Sequence, residues 1–222
     1  MNPKQVAGEA AAQFIKPGMI VGLGTGSTAN FAISKLGELV KNENLNIKGV
    51  PTSQASENLA KEVGIPILSL GDVEFVDVTI DGADEIDGEY RMIKGGGGAL
   101  LREKMVASVT KKEIIVVGPG KEVEILGKFP LPVEIIKFGW DFIQKRIAKL
   151  GCVPELRLKN GRPFITDNGN YILDCQFGSI QNPEQLEENL NRIPGVVENG
   201  LFIGLAHVLV IGTEEKAIIK NK

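Results

Sequence analysis

Three short stretches of this chain concentrate residue types that can do chemistry. In Asp81-Gly82-Ala83-Asp84-Glu85-Ile86-Asp87, carboxylates crowd into one turn. Two neighbouring carboxylates can differ in pKa, so that one donates a proton while the other accepts one. A solvated acidic turn and a divalent-metal loop are competing readings, although the alternate-position acids of a calcium loop are missing. In Lys94-Gly95-Gly96-Gly97-Gly98-Ala99-Leu100-Leu101-Arg102-Glu103-Lys104, consecutive glycines lead straight into a helical pattern. Such a loop can point several N–H groups at one oxyanion, with Lys94 adding a positive charge at its mouth. Glu103 falls in the first or second turn of the helix, where the dipole favours its ionised form. A carboxylate, a cation and a donor-rich loop suit proton abstraction beside a carbonyl. The bland alternative makes Glu103 a surface residue paired with Lys or Arg one turn away.

The third stretch, Gly22-Leu23-Gly24-Thr25-Gly26-Ser27-Thr28, follows an apolar run and opens a helix. Backbone N–H groups and the helix dipole attract phosphate there, and Thr25, Ser27 and Thr28 add hydroxyl donors. Ser27 stands where a dinucleotide fingerprint needs glycine, and no Gly-Lys-Ser/Thr follows as in a P-loop. A tight strand–helix turn with a Ser or Thr cap is the structural alternative.

These loops need elements to position them. A helix is predicted over 3–16, stopped by Pro17-Gly18. Short apolar strands follow at 19–23, 47–50, 75–80 and 114–117, alternating with helices after Thr28, at 53–63 and at 99–110. That alternation predicts a parallel α/β sheet, with the acidic turn at the carboxyl end of a strand. The pattern changes near Gly127. A strand at 133–137, a helix at 140–150, strands near 153–158 and 170–176, a helix at 183–192 and a strand at 196–203 read as an α+β split βαβ module. The run His207–Ile211 is apolar again and is expected to return to the first sheet.

Composition narrows the function classes. The chain has 222 residues, a net charge of -3, one histidine, two cysteines and 27 glycines, with aromatics at 5%. The acidic balance gives no general pull toward nucleic acid or an anionic membrane. A single histidine excludes a site with two His ligands in one chain and leaves proton transfer to Asp, Glu or Lys. No apolar run approaches the ~20 residues of a membrane span. The chain opens Met1-Asn2-Pro3-Lys4 without a signal-peptide pattern, and a cytoplasmic protein is expected. Cys152 and Cys175, without CxxC spacing, are expected to be small buried hydrophobes rather than a zinc or redox pair. His207 and Trp140 are expected to be structural, and the tail Lys220-Asn221-Lys222 solvated.

Taken together and in this order, the three motifs resemble ribose-5-phosphate isomerase type A. The likeness continues through Leu126-Gly127-Lys128-Phe129-Pro130-Leu131-Pro132-Val133-Glu134, Thr166-Asp167-Asn168-Gly169-Asn170 and Ile193-Pro194-Gly195-Val196-Val197. The resemblance implies a Rossmann-like, mostly parallel α/β domain (1–127 plus 204–222) and a smaller α+β, ferredoxin-like lid domain (128–203). It implies an aldose–ketose isomerase, an intramolecular oxidoreductase that interconverts D-ribose 5-phosphate and D-ribulose 5-phosphate through a cis-enediolate in the pentose phosphate pathway. No metal and no cofactor are implied, and a homodimer or homotetramer is. By motif, Glu103 would be the base, with Asp81 and Asp84 moving protons between oxygens. Lys94 and Gly95, Gly96 and Gly97 would hold the substrate and the developing charge. Thr25, Gly26, Ser27, Thr28, Gly82, Ala83 and Lys121 would also contact it. The lead-in Gly118-Pro119-Gly120 before Lys121 departs from the family pattern, and Lys4 is a further phosphate candidate. Three rivals remain: a non-catalytic sugar-phosphate sensor, an NAD-dependent oxidoreductase and a divalent-metal enzyme.

Overall fold

A computed structural model describes residues 1–222. The chain runs α1 (Pro3–Ala12), β1 (Ile20–Leu23), α2 (Ser27–Glu43), β2 (Lys48–Pro51), α3 (Gln54–Glu62), β3 (Val76–Gly82), β4 (Glu85–Ile86) and β5 (Met92–Ile93). It continues with α4 (Leu100–Ser108), β6 (Thr110–Val117), β7 (Leu131–Ile135), α5 (Trp140–Ala148), β8 (Val153–Leu156), β9 (Leu158–Lys159) and β10 (Arg162–Pro163). The last elements are β11 (Tyr171–Gln176), α6 (Pro183–Asn191), β12 (Val196–Asn199), β13 (Leu201–Phe202), β14 (Ala206–Gly212) and β15 (Ala217–Asn221). The chain forms two compact units, one of residues 1–83, 102–121 and 205–222 and the other of residues 84–101 and 122–204.

The first unit is built on a sheet of order β15-β14-β6-β3-β1-β2, parallel except for the β14–β15 pair. Its inner strands are apolar runs buried on both faces, as a helix-covered parallel sheet requires. Ala7, Ala11, Ile33, Leu36, Val21, Ile80, Ile114 and Val210 share one core. The return of 207–211 to this sheet is seen in β14, which lies beside β6. Two boundaries differ from expectation. α1 ends at Ala12 rather than 16, because Gln13 and Phe14 donate to Ala10 and Ala11 three residues back, tightening the last turn before Pro17. The tail expected to be merely solvated is exposed, but residues 217–221 pair with β14 as an edge strand. Its short Ile218-Ile219 core, flanked by lysine, gave too little periodicity to read.

From β1 the chain moves outward to β2, then crosses back to place β3 on the other side of β1. The carboxyl ends of β1 and β3 therefore form the switch point of a doubly wound sheet, the position where such folds bind ligands.

The second unit holds an antiparallel sheet of order β12-β7-β11-β8 with α5 and α6 as its crossovers, the split βαβ arrangement. Ile143, Ile147, Leu186 and Leu190 of the helices pack with Leu131, Val133, Ile135, Leu173 and Cys175 of the strands, and Trp140 packs against this core. Both cysteines are free and buried here. The Cys152 thiol donates to the Ile147 carbonyl at 3.6 Å and the Cys175 thiol to the Leu173 carbonyl at 3.7 Å. The influence of each thiol on the other holds Cys152 below the ordinary thiol pKa and, with burial, Cys175 well above it. The unit is wider than 128–203, because β4 and β5 pair with each other and β5 pairs with β13.

A test of the first unit concerns Asp77 on β3. Its Oδ2 accepts from the Ile20 N–H at 3.0 Å, and Lys111 Nζ donates to Oδ1 at 3.1 Å. These donors, the Ile20 amide first, hold the carboxyl below its ordinary 3.8. A depressed carboxylate stabilises the fold above its unfolded pKa and loses that contribution as pH falls through the folded value. Asp77→Ala is expected to lose about 1 kcal/mol at pH 7 by urea unfolding. The gap between the two proteins should close as pH drops below 3.8.

Candidate active site

At the switch point, β3 ends in a carboxylate that the neighbouring loop is shaped to receive. Asp81 is 1% exposed. Its Oδ1 accepts from the Thr25 N–H at 2.9 Å and from the Gly82 N–H at 2.7 Å. Gly24 makes this approach possible, since a Cβ there would lie 2.4 Å from Asp81 Oδ1 and 2.4 Å from the Ile80 carbonyl oxygen. The glycine loop expected to approach a phosphate thus first approaches the protein's own carboxylate. Thr25 is fixed in turn by Thr52 and Ser53, whose hydroxyls lie 2.8 Å from its Oγ1. Neither residue belongs to the three sequence motifs. Their signal was a hydroxyl pair at the carboxyl end of β2, next to the Ser53 and Ser56 capping box of α3.

The N-terminus of α2 is the second feature. Gly26 sits at φ 109° and gives the helix no side-chain cap. The Ser or Thr cap of the structural alternative is therefore not the arrangement adopted. Ser27 is exposed, Thr28 is buried, and Lys4 Nζ donates to Ser27 Oγ at 2.9 Å. A lysine beside a helix N-terminus is a strong anion-attracting combination. The loop after β6 meets the same lysine: a Cβ on Gly118 would stand 3.5 Å from Lys4 Cγ. Gly120 then turns at φ +78°, a conformation its side-chain-less backbone permits, and delivers half-buried Lys121. Glu103 lies in the first turn of α4 and is 5% exposed, so it is not the surface residue of the bland reading.

In the second unit, the Asp84 N–H donates to the Ile93 carbonyl at 2.8 Å, tying the acidic turn to β5. Asp84 Oδ2 accepts from the Gly96 N–H at 2.7 Å, and a Cβ on Gly96 would sit 2.6 Å from Asp84 Oδ1. Lys94 is 1% exposed, its N–H donates to the Gly200 carbonyl at 2.9 Å, and its Nζ lies 5.3 Å from the Phe202 ring centre. The ring face favours a cation that burial has stripped of water. Not every amide of the glycine loop faces a ligand as expected. Gly96 donates to Asp84 and Gly98 donates to the Gly95 carbonyl at 3.0 Å.

The remaining acids of the turn have separate partners. Glu85 accepts from the Gly127 and Phe129 amides at 2.7 and 2.6 Å, and Asp87 pairs with Arg91 at 2.7 Å. No three His, Cys, Asp or Glu side chains gather as a metal-ligand set. His207 is exposed, and its Nδ1 accepts from the Glu113 N–H at 3.1 Å where the β14–β6 register shifts.

A doubly wound sheet with an amide-held carboxylate and an uncapped helix beside a lysine at its switch point defines an α/β protein built around a small anionic ligand. Comparison with known proteins narrows that class. Residues 48–216 match ribose 5-phosphate isomerase A, also called phosphoriboisomerase A. The chain is 54% identical over 215 residues to a ribose-5-phosphate isomerase A of Bacillus mycoides, covering 96% of this chain and 97% of that protein. It is 50% identical over 211 residues to one of Listeria monocytogenes, covering 95% and 94%. Among solved structures, ribose 5-phosphate isomerase A of Methanocaldococcus jannaschii superposes with a TM-score of 0.94 at 37% identity, covering 100% and 99%. A D-ribose-5-phosphate isomerase in complex with phospho-erythronic acid gives 0.96 at 41% identity, covering 100% of both chains. The chain belongs to the ribose 5-phosphate isomerase A family.

The close approach at Gly24 has a direct consequence. Gly24→Ala is expected to destabilise the protein by about 1–3 kcal/mol through overpacking against Asp81. Gly88→Ala, where a Cβ meets nothing within 4 Å, should leave the unfolding midpoint near that of the parent.

Proposed function

We propose that this protein interconverts D-ribose 5-phosphate and D-ribulose 5-phosphate. The observation that carries the reading is the end-to-end likeness to a D-ribose-5-phosphate isomerase solved with phospho-erythronic acid. That molecule is a phosphorylated sugar acid. Its planar carboxylate spreads negative charge over two oxygens, as the enediolate of an aldose–ketose isomerisation does.

Glu103 is the base in this reading. It takes the proton from C2 of the open-chain aldose as the C1 carbonyl oxygen gains negative charge. It then returns the proton to C1 as the C2 hydroxyl becomes the ketone. Its place in the first turn of α4 supports the role, because the helix dipole favours the carboxylate form that a base requires. Asp81 and Asp84 open the sugar ring and move the hydroxyl proton between the two oxygens. Their orientation by backbone amides supports this, since a proton relay needs fixed acceptors. Lys94 stabilises the oxyanion together with the Gly97 N–H, Gly95 and Gly96 shape the loop that presents it, and Gly82 and Ala83 line the same substrate. A preorganised donor at such an oxygen contributes about 3 kcal/mol. The phosphate is held by Thr25, Gly26, Ser27 and Thr28, by Lys121 and by Lys4. It serves as a non-reacting handle.

The proposed steps move protons only, so no hydride acceptor is required. Phe138 and Phe142, 89% and 55% exposed, support association into a homodimer or homotetramer. No helix is long and apolar enough to cross a membrane. With both cysteines free, a cytoplasmic setting is proposed.

An assay of ribose 5-phosphate turnover with EDTA present tests the core of the reading. Binding without turnover would favour the sensor, and loss of activity to EDTA would favour the metal enzyme. Glu103→Gln is expected to lower kcat about 10²–10⁴-fold, and near-parental turnover would remove Glu103 as the base. Lys4→Ala should act differently. Losing one charge-assisted hydrogen bond of about 1.5 kcal/mol is expected to raise KM for the phosphosugar roughly tenfold, with kcat less affected.

A further inference from the structure

Arg157 lies between β8 and β9, and its whole guanidinium fork is committed within the second unit. Nε donates to Asp174 Oδ2 at 2.9 Å and Nη2 donates to Asp174 Oδ1. Nη1 donates to two consecutive carbonyls of the glycine loop, Gly95 at 2.8 Å and Gly96 at 3.2 Å. Its backbone is fixed as well, with the Arg157 N–H donating to Ile172 at 2.9 Å and the Phe164 N–H donating to Arg157 at 2.8 Å. The Phe164 ring borders the far end of the loop, since a Cβ on Gly98 would lie 2.5 Å from it.

The geometry of a trans peptide gives this clamp its meaning. The carbonyl of Gly95 and the N–H of Gly96 belong to one planar unit and point in opposite directions. Drawing the Gly95 carbonyl toward Arg157 therefore sends the Gly96 N–H the other way, to Asp84 Oδ2 at 2.7 Å. The next unit behaves alike. With the Gly96 carbonyl on Arg157, the Gly97 N–H is turned away from the guanidinium. Successive glycines have little intrinsic preference for either orientation of these planes, so an external clamp must choose one. Arginine suits the task because one rigid fork reaches a carboxylate and two carbonyls at once. Asp174 fixes the fork and neutralises it, so that Arg157 orients the loop rather than competing for an anion.

We propose that Arg157, held by Asp174, is a positioning residue. It sets the two peptide planes of the glycine loop so that the Gly96 N–H holds Asp84 and the Gly97 N–H is presented to a substrate oxygen. The kinetic part of this proposal rests on the isomerase reading above; the orientation of the loop does not.

The test compares Arg157→Met, Arg157→Lys, Arg157→Ala and Asp174→Asn with the full-length parent. Circular dichroism and thermal unfolding establish which variants are folded. Arg157→Lys keeps the charge but not the fork, and it carries the test should Arg157→Met fail to fold. Folded Arg157 variants are expected to lose about 100-fold in kcat, with KM changing less, because a displaced reacting group is felt mainly in the chemical step. Amide hydrogen exchange at Gly96, followed by NMR without substrate, is expected to speed up in the same variants. Added guanidinium should restore part of the activity of Arg157→Ala. Parental kcat in folded Arg157→Met would overturn the proposal, as would lost activity with unchanged Gly96 exchange. Should the parent itself show no isomerase activity, faster Gly96 exchange in the variants still supports the clamp, and the failure belongs to the isomerase reading alone.

Discussion

The arrangement of the first unit depends on one close approach: the Asp81 carboxylate against the backbone of Gly24 and Thr25. Adjacent parallel strands put the ends of β1 and β3 side by side, and the Gly24 N–H completes that contact by donating to the Ile80 carbonyl at 3.0 Å. Any side chain at 24 would occupy the space of the carboxylate. One pair of residues back, Gly22 faces Thr79 in the same way, with a would-be Cβ 1.9 Å from its Oγ1. The alternation of glycine along Gly22-Leu23-Gly24 therefore follows the period of a strand, and the two glycines clear one face for Thr79 and Asp81 while Leu23 packs in the core on the other.

Backbone amides recur as the partners of acids that are buried, as Asp81 and Glu85 are, or half-buried, as Asp84 is. Asp81 takes two, Asp84 takes one, and Glu85 takes two from residues 127 and 129. A carboxylate removed from water needs strong donors, and amides offer them in directions set by the fold. Glycine-rich segments supply such amides without side chains in the way. This explains why an aromatic-poor, glycine-rich chain can hold so many acids inside. It also explains why the fold is intolerant of bulk at particular glycines while others, such as Gly88 and Gly139, border open space.

The parallel α/β sheet, the acidic turn at the carboxyl end of one of its strands and the split βαβ module were legible in the sequence, because apolar runs alternating with helical patterns report on burial directly. So were the three motifs, since glycines and acids at fixed spacing report on local backbone geometry. The switch point follows only from the strand order. Three further things were not legible. The sheet of β4, β5 and β13 has strands two residues long, too short for any period, and it is what draws 84–101 into the second unit. Thr52 and Ser53 act on Thr25 from 27 and 28 residues away, a pairing that only the parallel register of β1 and β2 creates. Arg157 reaches the glycine loop from 62 residues away, and nothing in Glu155-Leu156-Arg157-Leu158 distinguishes it from a surface arginine.

The acidic residues of the second unit show how the chain uses charge to fix loops that regular structure does not. Glu85 anchors residues 127–129 through two amides. Glu134, fully buried on β7, gathers Thr166, Asn168 and Asn170 at 2.9, 3.3 and 2.9 Å and so closes the turn that leads into β11. Asp174 locks Arg157, and Arg157 locks the glycine loop. In each case a side chain on a strand, or beside one, reaches out to a segment with no ladder of its own. Such contacts transfer the rigidity of a sheet to a loop, since a strand-borne carboxylate has little freedom left to lose when it binds an amide. Asp84 benefits twice. Its neighbour Glu85 fixes its backbone from one side, and Gly96 fixes its carboxylate from the other. An acid located by two independent anchors keeps little freedom of its own.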